Sequence, residues 1–74
     1  MHVEVEKRLK IYDSESRAVE GYAHCADEVM MLNRYGQTRT GTIHHINNDG
    51  FEYRDNQGGK HYMRLDYLEA IKVI

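Results

Sequence analysis

The stretch TRTGTIHHINNDGFEYRDNQGGKHYMRLDYLEAIKVI, Thr38 to Ile74, decides how this chain folds. Thr38 to Asn47 is rich in Thr and Ile and reads as a strand. Ile43 and Ile46 are three apart, so a regular strand would send them to opposite faces; a bulge at His44-His45 returns both to the core and bends the strand. Asn47-Asn48-Asp49-Gly50 is a hairpin signal, because Asn, Asp and Gly tolerate the positive φ of tight turns. Phe51 to Asp55 then places Phe51 and Tyr53 on one face. Asn56-Gln57-Gly58-Gly59 makes a second hairpin, and Lys60 to Leu65 sets His61, Met63 and Leu65 against Tyr62 and Arg64. Asp66-Tyr67-Leu68 fits one short helical turn before a last strand through Ile71 to Ile74.

Working upstream, Glu28 to Arg34 reads as the strand that precedes this series, closed by a turn at Tyr35-Gly36. Residues 14–26 are expected to be a helix, capped by Asp13 or Ser14, because Ala18, Tyr22, Cys25 and Val29 recur at spacings of four, three and four. Residues 1–12 read as a strand, since Val3, Val5, Leu9 and Ile11 all occupy odd positions with Lys7 as the exception. The expected fold is one domain over 1–74, mainly β with one N-terminal helix. Its barrel spans 28–74 in five strands, with an extra N-terminal strand ahead of the helix. Val29, Leu32 or Met31, Phe51, Met63, Leu65, Leu68 and Ile71 are the expected core, together with both isoleucines.

A chain of 74 residues buries only about 60% of the surface its unfolded state exposes. The formal charge of −2 gives no general pull toward nucleic acid, but it is unevenly spread. Residues 1–33 hold four basic against seven acidic side chains, and residues 34–74 hold six against five. The lone Cys25 has no internal disulfide partner, no signal-peptide pattern is visible, and no apolar run approaches the ~20 residues of a membrane helix. A soluble protein of a reducing cytoplasm is expected.

The order of strand, bent strand, two hairpins, helical turn and final strand resembles an SH3-like or Sm-like small barrel. HYMRLDYLEAI (His61 to Ile71) resembles the Arg-Leu-Asp-x-Ile segment of WYL domains. TGTIHHI (Thr40 to Ile46) followed by RLDYLEAI resembles the end of YolD-like proteins. A helix ahead of such a barrel also resembles the Rho-binding antiterminator family. These resemblances imply, in turn, nucleic-acid or nucleotide sensing, a link to DNA-damage polymerases, and the blocking of a nucleic-acid-binding machine.

The residues themselves offer no catalytic set. His44 and His45 are adjacent and on a regular strand face opposite ways, no spaced Cys or His motif completes a ligand set, and neither metal nor cofactor is expected. Cys25 falls on the predicted apolar stripe and reads as buried spacer rather than nucleophile. Three functional classes remain. The first is a regulator or inhibitor, of a kind a phage can encode, that meets a basic surface on a protein of nucleic-acid metabolism through an acidic front of Glu15, Glu20, Asp27 and Glu28. The second is a nucleic-acid-binding module with Arg39, Arg54, Tyr62 and Arg64 on one barrel face. The third is a structural or oligomer-forming protein, since Ile71 to Ile74 and Val3 to Ile11 can complete the barrel or pair with a second copy as a homodimer.

Overall fold

The structure, a computed structural model, describes residues 2–74. Its strands are β1 (His2–Val5), β2 (Leu9–Tyr12), β3 (Val19–Ala23), β4 (Glu28–Asn33), β5 (Thr38–Ile46), β6 (Gly50–Arg54), β7 (Lys60–Arg64) and β8 (Leu68–Val73), with a 3-10 turn at Leu65–Tyr67. They form two antiparallel sheets, ordered β1-β2-β3 and β7-β6-β5-β4-β8. The mainly β expectation agrees with this, but the fold expected from sequence needs correction in two respects.

There is no α-helix among the described residues: 14–26 is a turn followed by β3. The Asp13 carboxylate accepts the amides of Glu15 and Ser16 at 2.7 and 3.0 Å. This is the contact a helix N-cap would make, but here it closes a turn. Arg17 takes a φ of 57°, and the Asp13 amide donates to the Ala18 carbonyl at 2.8 Å. The chain therefore doubles back onto β2. Val19 and Tyr22 favour the extended state, and Gly21 weakens a helix, so tertiary pairing overrides the helical spacing.

The second correction concerns closure. The five strands of 28–73 do not close on themselves as a barrel; β7 and β8 remain the two edges of an open sheet. Its inner face is covered instead by the N-terminal sheet. The single strand expected over 1–12 is a hairpin, in which Lys7, the exception to the odd-position pattern, takes a φ of 69° at the turn. Val3 lies opposite Ile11 and Val5 opposite Leu9. The odd residues thus share one face, as a strand pattern requires, even though the strand is folded in two.

One core draws on both sheets. Leu9, Ile11 and Ala23 meet Val29, Met31, Ile43, Phe51, Tyr53, Met63 and Ile71, all buried. The bulge lies where Ile43 and Ile46 demand it: the β5–β6 register shifts between Ile43 and His45. Ile43 is buried and Ile46 half-buried, as are Leu65 and Leu68. Cys25, expected inside, is exposed in the loop after β3. That loop fixes the N-terminal sheet to the bulge, through Ala26 N–H to the Ile43 carbonyl at 2.8 Å and Ile43 N–H to the Asp27 carbonyl at 2.9 Å.

Two glycines are required by close approach. A Cβ on Gly41 would lie 2.5 Å from the Tyr53 ring and 2.7 Å from the Arg54 carbonyl oxygen. A Cβ on Gly50 would lie 2.9 Å from the Arg64 Cα and closer still to the Met63 carbonyl. Backbone cannot yield as a side chain can. Gly50→Ala should therefore lower stability by about 1–3 kcal/mol or more. Gly21→Ala meets nothing within 4 Å and should leave Tm unchanged or slightly higher. Thermal melts of the two variants check this, and equal Tm values would contradict the close β6–β7 packing.

The β6–β7 hairpin is held by Asp55. Its carboxylate accepts the Gly59 and Gln57 amides at 2.8 and 2.9 Å and sits 2.7 Å from His61 Nε2. The His61 hydrogen bond, then the Gly59 and Gln57 amides, hold the Asp55 carboxyl below the usual carboxylate range. A folded-state pKa depressed in this way gives stability that is present above the unfolded value of about 4 and is lost as pH falls through the folded one. Asp55→Asn should flatten the acid-side fall of Tm between about pH 5 and pH 2. Parallel Tm curves for variant and wild type would show that the carboxylate contributes nothing.

Candidate functional site

Strand β8 pairs with β4 on one side only. The Ile74 amide donates to the Glu28 carbonyl at 2.9 Å, and the register continues as Val29 opposite Val73, Met30 opposite Lys72 and Met31 opposite Ile71. Antiparallel pairs alternate between hydrogen-bonded and non-bonded, so Lys72 bonds to β4 while Ile71 and Val73 turn their N–H and C=O groups outward. No ladder joins β8 to another strand on that side.

The strand nearest to this open side is β3, the edge of the N-terminal sheet, which approaches β8 without pairing to it. Between the two edges lies a cleft of about 440 Å³ lined by Ile11, Glu20, Gly21, Tyr22, Ile71, Lys72 and Val73. On the outer face, next to the same edge, a shallow hollow of about 270 Å³ is lined by Met30, Leu32, Thr38, Ala70 and Lys72 among others. Two large apolar side chains left in solvent line these hollows, Val73 at 38% exposed and Met30 at 46%. An unpaired edge with apolar hollows on both faces is the feature an added strand uses, its alternate side chains entering the two hollows. Strand β3 comes within 8 Å of β8 between Cα atoms, so it must shift outward where a strand enters between them.

The acidic front expected from sequence is dispersed. Glu15 sits in the β2–β3 turn, Glu20 on β3, and Asp27 and Glu28 beyond the far end of β3. Four residue steps along β3, about 13 Å, separate the two ends. The Asp27 carboxylate is occupied within its own loop, accepting the His24 amide at 2.8 Å. Of the four, Glu20 lines the cleft.

The expected Arg/Tyr face is divided as well. Arg54 and Tyr62 share the outer face of the five-stranded sheet, since Thr42 lies opposite Arg54 and Glu52 opposite Tyr62. Arg39 pairs with Met31 and belongs to the other face. Glu52 lies 3.7 Å from Lys60, which places an acidic group beside Tyr62. Arg64 lies opposite Gly50, at the other end of β6 from Arg54, and two of its three guanidinium nitrogens, Nε and Nη2, donate to the Asp66 carboxylate at 3.1 Å.

The histidines form no common site. His44 and His45 are exposed at the bulge, His61 stacks on Tyr53 with centroids 5.1 Å apart, and His24 lies 3.5 Å from Asp27. The described residues contain no group of three side chains able to hold a metal ion, and none of their helices is long and apolar enough to cross a membrane.

Sequence reading passed over Gly21, Tyr22, Met30 and Val73 as site residues. The available signal was the apolar end Ile71 to Ile74 on a final strand, a pattern that marks pairing capacity without locating the open edge. Comparison with known proteins returns no match among family models, curated proteins or solved structures.

Proposed function

We propose that this chain is a non-enzymatic binding protein that captures an extended segment of a protein partner along the free edge of β8. The single observation that supports this reading is the coincidence of outward backbone groups at Ile71 and Val73 with apolar hollows on both faces of the same strand. Main-chain hydrogen bonds supply affinity in such docking, and the pockets for alternate side chains supply selectivity. Glu20 in the cleft favours a basic residue on the entering segment. Of the expected acidic front, it is the member with a place in this mode. A regulator or inhibitor of a cytoplasmic nucleic-acid enzyme is the role that fits a small rigid sheet protein with one such edge.

The register supplies a test that separates binding from folding. Val73→Pro removes an N–H that points away from β4, a substitution an edge strand accepts. Lys72→Pro removes one that bonds to β4 and should destabilise the fold. Affinity capture from nuclease-treated cell extract should yield a protein partner with the wild-type chain. The partner should be lost with Val73→Pro, whose Tm stays near wild type, and should associate more slowly with Glu20→Lys. Capture that survives Val73→Pro, or that vanishes with nuclease, would contradict the proposal.

A further inference from the structure

A second cluster lies at the start of β8, the opposite end from Ile71 and Val73, where the β4–β5 turn meets the 3-10 turn. The Arg34 guanidinium lies 4.5 Å from the centre of the Tyr67 ring and 5.3 Å from that of Tyr35. Arg64 reaches the same Tyr67 ring at 5.4 Å, and the two Tyr rings are 6.1 Å apart. Two cations and two aromatic rings thus converge from chain segments thirty residues apart. Their geometry is braced by backbone. The Arg34 amide donates to the Tyr67 carbonyl at 2.8 Å, and Asn33 Oδ1 accepts the amides of Tyr35 and Gln37 at 3.0 Å. Gly36 takes the positive φ, 80°, that the turn needs.

Arg34 forms no ion pair among the described residues, and Tyr35 is 66% exposed. Arg34 Nη2 donates to the Tyr35 hydroxyl at 3.3 Å, which leaves its remaining N–H groups for a phosphate oxygen, while an exposed Tyr offers a face to a flat base. From this juxtaposition we infer that Arg34, Tyr35, Arg64 and Tyr67 form a nucleotide-binding site that takes a phosphate on the guanidinium groups and a base on Tyr35. The nucleotide belongs either to a single strand or to the free pool. Asp66, paired to Arg64, opposes binding and sets the site's modest strength. The site shares no residue with the Ile71 to Val73 edge, and neither Arg39 nor Arg54 belongs to it.

Fluorescence anisotropy with a labelled single strand of about ten nucleotides, alongside calorimetry with a mononucleotide and with inorganic polyphosphate, tests the inference. Arg34→Ala and Tyr35→Ala alter exposed turn side chains, and their Tm values report on folding. Each should weaken binding about fivefold or more. Arg34→Ala should also flatten the salt dependence by about 0.7 in log–log slope. Asp66→Asn should tighten binding, and Arg39→Ala and Arg54→Ala should leave it unchanged. Binding of the mononucleotide alone would assign the free pool as the source, and tighter binding of the strand would assign nucleic acid. Polyphosphate binding as strong as the strand's and indifferent to Tyr35→Ala would overturn the site, as would no binding of either nucleotide probe at low salt.

Discussion

The contact of Leu9, Ile11 and Ala23 with the inner face of the five-stranded sheet is the interaction on which the rest of the structure depends. An open five-stranded sheet with Phe51, Ile43, Met31 and Val29 on one face cannot leave that face in water. Burying a large aliphatic or aromatic side chain stabilises by about 1.5–3 kcal/mol, and among the described residues ten buried side chains, with Val3, Val5, Ile46, Leu65, Tyr67 and Leu68 packed against them, make up the core. The N-terminal hairpin and β3 provide the cover. Because the cover is a separate three-stranded sheet rather than a continuation of the larger one, the molecule retains free strand edges. Two of them, β3 and β8, face each other across the cleft.

Local chemistry then fits the two sheets together. The bulge at His44 re-aims β5 so that Ile43 is buried and Ile46 partly so, while the loop from His24 to Asp27 bonds to the Ile43 backbone on both sides. At Gly41 and Gly50 the absence of a side chain admits the Tyr53 ring and the β7 backbone. Phe51, Tyr53 and His61 follow one another along the inner face, with Tyr53 and His61 stacked.

Much of the larger sheet was legible in the chain. Period-two alternation, Asn/Asp/Gly hairpin signals and the Ile43–Ile46 spacing each correspond to an observed strand, turn or bulge. The region 14–26 was misread because one hydrogen-bonding device serves two structures: an aspartate accepting amides two and three residues ahead begins a helix or closes a turn, and Asp13 does the second. What decides between them is the neighbour. The sheet partner of Val19 to Ala23 is β2, whose availability depends on the hairpin at Lys7, and a fold in two at Lys7 leaves the odd-position pattern intact. The charged candidate sites failed for a related reason. Side chains grouped by sequence, such as Glu15 with Asp27, are separated by the length of β3, and Arg39 is turned to the opposite face from Arg54. Conversely, Arg34 and Tyr67 are distant in sequence and meet only through topology.

An edge strand is open or occupied in a way that backbone amides report directly. Hydrogen exchange along β8, measured residue by residue on the free protein in dilute solution, tests the central claim that this edge is available. Lys72 and Ile74, which bond to β4, should exchange slowly, and Ile71 and Val73 should exchange much faster, near the rate of unstructured chain. Uniform slow exchange at all four positions would mean that the edge is already paired, by β3 or by a second copy, and would contradict the claim.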